Sequence, residues 1–191
     1  MEEIWTIEFD SVLEPTHTTK LRQFEELLSE RARGTYLYDP QWAFFYKIVQ
    51  KYKAALKLAG DANKGLEVFR KNCVACHRHG GEGYAIGPDV ATVKNRDYES
   101  ALIQILDPNR EILANFEQYF VTLKNGQTVS GRIVRESASG LTLGRAGGVE
   151  SEILRKNIKS IISSGRSLMP EGLEAVIDLQ SMSDLWAFLK S

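Results

Sequence analysis

Cysteine is scarce in this chain: 191 residues hold two, and both fall in one pentapeptide. Neither sign of charge dominates, with 24 Lys and Arg against 25 Asp and Glu and a formal net charge of −1. That balance gives no argument for nucleic acid or an anionic membrane as a partner. No apolar run approaches the ~20 residues of a membrane-spanning helix, so no membrane span is expected. The opening Met1-Glu2-Glu3-Ile4-Trp5 has no basic n-region and no apolar h-region, and is not expected to be a signal peptide. The composition, 43% hydrophobic and 26% charged, is that of a soluble globular protein of one domain or two small ones.

The pentapeptide is Cys73-Val74-Ala75-Cys76-His77. C-x-x-C-H is the attachment signature of c-type haem. Two thiols add across the two porphyrin vinyl groups as thioethers, a two-residue gap lets one turn of backbone reach both, and the adjacent His77 then lies beneath the iron as a proximal ligand. Two other chemistries use paired cysteines. A thioredoxin-like redox pair wants a βαβ context, and none surrounds this one. Tetrahedral zinc needs four ligands, and beyond Cys73, Cys76 and His77 the sequence offers only His79 and His17, so a site using His79 would crowd four ligands into seven residues. Thioether attachment normally happens outside the cytoplasm. The expected location is therefore periplasmic or otherwise exported, and the chain is expected to be a mature form or an excised domain.

Along the chain the pattern changes character three times. Residues 1–60 read as an N-terminal helical segment: a short extended piece at Ile4, Ile7 and Phe9, a helix capped by Thr18 or Thr19 with Leu21, Phe24, Leu27 and Leu28 on one face, and a second helix opening at Asp39-Pro40, with proline in the first helical position. The aromatics of that helix, from Trp42 to Tyr52, are expected to pack on the rest of the molecule; the sharper alternative is a docking face. Next, Asp61 suits the N-cap of a helix over 62–72, where Gly65 lowers helix stability and so needs a packing reason, with Phe69 on the same face. A glycine-rich loop follows the motif, and a further helix fits 97–106, ending at Asp107-Pro108. From Phe116 to Ser163 the alternation is that of strands, about five of them, with Asn125-Gly126 as a two-residue hairpin signal and Gly147-Gly148 as another turn. The helical pattern returns with a turn over Gly172–Val176 and a last helix from Ser183-Asp184 carrying Leu185, Trp186, Phe188 and Leu189.

Residues 61–115 and 164–191 resemble the two halves of a class I cytochrome c. Gly65 and Phe69 resemble the helix face that crosses the C-terminal helix, whose aromatic would be Phe188 or Trp186. Gly87-Pro88 resembles the turn whose proline carbonyl accepts the other ring N–H of the haem-ligating histidine, a bond that orients and strengthens the ligand. Ser167-Leu168-Met169-Pro170-Glu171-Gly172-Leu173 resembles the loop that supplies the distal methionine. The strings Gly-Pro-Asp, Leu-Asp-Pro-Asn and Ser-Leu-Met-Pro-Glu-Gly-Leu, in that order, are similar to the haem-binding domain of planctomycetes and verrucomicrobia. In that family the domain commonly ends large exported proteins that carry dehydrogenase-like propeller or helical-repeat domains. The resemblance covers residues 61–191.

The implied fold is mainly α with an inserted β segment: a class I cytochrome c fold interrupted at 116–163 by a small antiparallel barrel or sheet. From His77 to Met169 is 92 positions, and the segment supplies 48 of them. The remaining 44 make a reasonable loop for a compact cytochrome, so the segment reads as an insertion whose ends must lie close together. Its pattern is similar to small Sm-like or SH3-like barrels, some of which bind RNA, but fold does not imply function, and no aromatic platform with interleaved basic residues is present.

The chain has three methionines. Met1 is terminal, and Met182 precedes the last helix, where packing suits it. Met169 stands before Pro170 in a loop. His79 is too near His77 to reach the opposite haem face easily, and His17 would need the N-terminal segment to fold over it. A His77/Met169 pair implies one covalent haem c with a saturated iron and a relatively high potential. The expected role is an electron carrier rather than an enzyme, passing electrons from a dehydrogenase domain or partner protein to a respiratory acceptor. The alternative is a haem enzyme or a gas or peroxide sensor with a displaceable distal ligand, against which the sequence shows no distal acid–base pair near the motif. A structural or interaction protein is a third reading, for a vestigial haem site. Arg70, Lys71, Arg78, Lys94 and Arg96 near the motif either steer an acidic partner or are a solvated face.

Overall fold

Among the described residues, two side-chain clusters with no residue in common hold the fold together, one among helices and one inside a sheet. The computed structural model describes residues 40–191, with side chains from Phe45 onward. The chain divides into Met1–Phe44 and Phe45–Ser191, and apart from residues 40–44 all that follows belongs to the second unit. The extended piece at Ile4–Phe9, the helix capped at Thr18 or Thr19, and His17 lie outside the described residues.

Helix α1 (Pro40–Lys53) opens on its proline, as the fixed φ of that residue favours. Its second half packs rather than projects: Val49 and Tyr52 are buried in the helical cluster. The Tyr52 hydroxyl lies 2.6 Å from the Ile177 carbonyl and 3.0 Å from that of Glu174. Helix α2 (Ala62–Asn72) is capped as expected, the Asp61 carboxylate accepting from the Asn63 and Lys64 amides. Helix α3 (Tyr98–Leu106) is capped by Asp97 and buries Tyr98, Ala101, Leu102 and Leu106.

Helix α4 (Leu179–Lys190) begins four residues before the expected Ser183-Asp184, with Asp178 as its cap. The reason is tertiary. Ser183 and Asp184 look like a polar helix start, yet both are buried and bond to the segment leading into α2. The Ser183 hydroxyl donates to the Leu58 carbonyl at 3.0 Å, and Asp184 Oδ1 accepts from the Asp61 amide at 2.8 Å. Met182 therefore lies inside the helix, buried in the core. Gly65 supplies the close approach of α2 and α4: a Cβ there would run into the Asp184 carbonyl and come 2.7 Å from Phe188 Cβ.

The strand-rich region is a five-stranded antiparallel sheet of β3 (Glu117–Leu123), β4 (Thr128–Glu136), β5 (Gly140–Arg145), β6 (Val149–Leu154) and β7 (Ile158–Ser167), in the order β6-β5-β4-β3-β7. Strands β1 (Arg78–His79) and β2 (Glu82–Gly83) form a separate small hairpin in the glycine-rich loop. Helix and strand are thus both major constituents, which corrects the expectation of a mainly α protein; the last strand runs past Ser163 to Ser167. The sheet has β6 and β7 as edges. Register shifts in the β3–β7 and β4–β5 pairings bend it. Its cluster is Val121, Leu141, Leu143 and Ile153. Strands β3 and β7 pair with each other, Glu117 opposite Ser167, so entry and exit lie side by side. The Asn125-Gly126 hairpin has three loop residues rather than two: Leu123 N–H donates to Gln127 O, Gly126 N–H donates to Leu123 O, and Gly126 takes a φ of 90°.

Candidate haem-attachment site

The motif folds as a tight turn off the end of α2. The Cys73 amide donates to Phe69 O at 2.8 Å, and Cys73 O accepts from the Cys76 and His77 amides at 3.0 and 2.9 Å. That turn places two half-buried free thiols three residues apart. Burial, with a smaller contribution from Cys76, pushes the Cys73 thiol up to about 12, and burial also raises Cys76. Both are neutral thiols at neutral pH. Cys73 and Val74 pack against the helical cluster.

His77 is set by the loop that carries Gly87 and Pro88. Its Nδ1 lies 2.8 Å from the Pro88 carbonyl. A carbonyl only accepts, so Nδ1 carries the proton and Nε2 presents its lone pair, the tautomer a metal needs. Burial holds the imidazole below its usual pKa, opposed by the Pro88 bond; the ring is a neutral base. Gly87 lies flat against that ring, where a Cβ would come 2.5 Å from Cε1 and 2.7 Å from Nδ1. The Ile86 and Gly87 amides both donate to Cys76 O, at 3.0 and 2.6 Å, closing this loop onto the motif. Cys73, Cys76, His77, Gly87 and Pro88 thus form one connected unit.

Met169 stands on a separate loop, half-buried, and packs against the same helical cluster that Cys73 and Val74 touch. Its amide donates to Ser167 Oγ at 3.1 Å. Asn109 organises this loop: its Oδ1 accepts from the Ser167 amide at 2.8 Å and its Nδ2 donates to Glu171 Oε1, while Arg166 pairs with Glu171 at 2.8 Å. The Leu-Asp-Pro-Asn string and the methionine loop are therefore halves of one arrangement. Asn109 was visible in the sequence only as part of that string.

His79 is not a fourth ligand. It is buried, its Nε2 lies 3.2 Å from Phe188 O, and its ring meets Phe188 edge-on at 4.8 Å. Among the described residues no three His, Cys, Asp or Glu side chains gather as a metal site. That takes His79 from the zinc alternative, whose other candidate, His17, lies outside the described residues. Of the basic residues near the motif, Arg70 is neutralised by Glu67 and Glu82, and Arg96 Nη1 donates to Gln104 at 2.6 Å.

Sequence reasoning also missed the sheet's hold on the site. The Gly147 amide donates to Ala75 O, inside the motif, at 2.7 Å. Arg132 Nη1 donates to Ile86 O at 2.7 Å and lies 3.4 Å from Ala85 O. No local pattern marks either contact.

Two thiols on one turn and a neutral imidazole with its lone pair unprotonated fit a porphyrin attached by thioethers with iron on His77. Residues 62–130 match the cytochrome c family model. A Synechocystis sp. protein described as cytochrome c-553-like is 34% identical over 79 residues, which span 36% of this chain and 74% of that relative. The site and these matches together define a haem-binding electron carrier. The chain belongs to the cytochrome c family, and its cofactor is one haem c, bound covalently through Cys73 and Cys76.

Proposed function

We propose that this protein is an electron-transfer module with His77 and Met169 as the axial ligands of its haem iron. The observation that carries this reading is the His77 Nδ1–Pro88 O bond with Gly87 against the ring. It commits Nε2 to a lone pair and holds the ring in one orientation before any metal is bound. Bound haem supplies an iron that cycles between ferrous and ferric states. His77 and Met169 would hold that iron between two protein ligands, so that little rearrangement accompanies each change. A loop pinned by Asn109, Ser167 and Glu171 suits Met169 to the distal position.

On this reading residues 61–115 and 164–191 form the cytochrome, the sheet is an insertion whose ends are paired neighbours, and residues 1–60 are an N-terminal helical segment, the end of which buries Val49 and Tyr52 in the helical cluster. The three motif strings are what supports a likeness to the haem-binding domain of planctomycetes and verrucomicrobia. Its electrons would come from a redox partner or a fused dehydrogenase domain in an exported, periplasmic-type compartment, where thioether attachment occurs.

Met169→Ala tests the ligand pair. The ferric spectrum of the variant should lose low-spin character and respond to added imidazole or azide. A spectrum identical to that of the parent removes Met169 from the iron.

A further inference from the structure

We propose that Arg132 is a positioning residue of the haem site, reaching from the sheet to fix the loop that orients His77 and placing a fixed positive charge there that raises the haem's reduction potential. This rests on the reading of His77 as an iron ligand.

Arg132 lies in the middle of β4, opposite Gly144 of β5. Its guanidinium leaves the sheet for the helical part of the molecule. Nη1 donates to Ile86 O at 2.7 Å, with Ala85 O at 3.4 Å. The charged group sits 4.0 Å over the Phe116 ring, an arrangement that holds a cation in place. Ile86 is two residues from Pro88, whose carbonyl receives the His77 proton, and the Ile86 and Gly87 amides are bonded to Cys76 O. Arg132 therefore acts on the one segment that touches both the ring and the motif. The Gly147 amide grips the other half of the site, at Ala75 O.

Among the described residues the charge has no carboxylate paired with it. Arg135 and Arg166 in the same sheet, and Arg155 in the turn between β6 and β7, each pair with a glutamate, whereas no described acidic residue pairs with Arg132, and its Nε is buried without a hydrogen-bond partner. An uncompensated, partly desolvated cation acts over a longer range than a solvated ion pair. Ferric haem carries one more positive charge than ferrous haem. A nearby cation therefore disfavours the oxidised state.

The test uses the full chain with haem attached, carrying Arg132→Met, Arg132→Lys or, as a charge-removal control, Arg135→Met. Midpoint potential is read by spectroscopic redox titration, and hydrogen exchange at the Ile86 and Gly87 amides reports the loop. Arg132→Met should lower the potential and speed exchange at both amides. Arg132→Lys should recover most of the potential, and Arg135→Met should leave it near the parent value. An unchanged potential in haem-loaded Arg132→Met, or an equal drop in Arg135→Met, overturns the proposal. If the Met variant does not fold, Arg132→Gln carries the same expectation and the same contradiction. The unmodified protein is read first. A parent spectrum without low-spin iron defeats the ligation reading and this proposal with it, whereas a low-spin parent with unmoved variants defeats the Arg132 assignment alone.

Discussion

A single hydrogen bond decides the chemistry of His77. With Nδ1 committed to the Pro88 carbonyl at 2.8 Å, the lone pair is at Nε2, and Gly87 leaves the ring one place to lie. Gly87→Ala should push the ring off that position. Overpacking of this kind costs about 1–3 kcal/mol, and the haem-loaded variant should show both a lower melting temperature and some high-spin iron. A variant with parental melting and spectrum would mean the ring is not held there. A second consequence concerns Tyr98, whose hydroxyl donates to Tyr52 O at 3.1 Å. Burial, then the neighbouring Tyr52, push this phenol up to about 12, while an unfolded tyrosine ionises near pH ~10. Between those values the unfolded chain releases a proton that the folded chain keeps. The stabilisation is therefore complete below the unfolded pKa and lost as pH rises through the folded one. Urea midpoints should fall over that alkaline range, and Tyr98→Phe should make the fall shallower; equal slopes would contradict the assignment. At this scale the site was largely legible. Cys73, Cys76 and His77 are one local string whose spacing carries its chemistry, and Gly87 and Pro88 were marked by the resemblance to class I cytochromes c. Arg132 was not, because an arginine in a strand carries no sign of the carbonyls it will meet across the molecule.

Among the elements, the crossing of α2 and α4 determines where the motif begins. Gly65 admits the α4 backbone, Phe69 packs against Phe188 with ring centroids 5.4 Å apart, and Phe188 in turn holds His79. Alanine is the better helix former by about 1 kcal/mol, yet Gly65→Ala should destabilise by about 1–3 kcal/mol, since its Cβ meets the Asp184 backbone, which no rotamer change can move aside. Denaturation midpoints of the two proteins settle it, and a more stable alanine variant would refute the crossing. Helix starts at Pro40 and Asp61 were readable because caps and N-terminal prolines act within a few residues. The start of α4 was not, because Ser183 and Asp184 are polar for the sake of Leu58 and Asp61, far away in sequence. The extra loop residue of the β3–β4 hairpin was missed for a different reason: Asn-Gly serves two-residue and three-residue turns alike.

At the scale of the whole molecule, the described residues form two cores joined at the haem loop by the Gly147 amide and the Arg132 side chain. Because the helical and sheet clusters have no residue in common, replacing residues 117–166 by a short glycine linker should leave a helical protein that still attaches haem. Without the Gly147 and Arg132 contacts it should melt at a lower temperature. Loss of helical circular dichroism in the shortened protein would show that the sheet is integral to the fold rather than inserted in it. The period change from helix to strand made two architectures visible in the sequence, but their attachment to each other is made by side chains and amides with no period at all. The central claim is that this chain carries one haem c through Cys73 and Cys76, with iron held on both faces by protein ligands. Its most direct test is the visible spectrum of protein matured by cytochrome c assembly machinery, oxidised and reduced, before and after denaturation. Haem retained through denaturation, with low-spin bands in both native states, is the predicted result. Haem that washes out on denaturation, or a high-spin native spectrum, would contradict it.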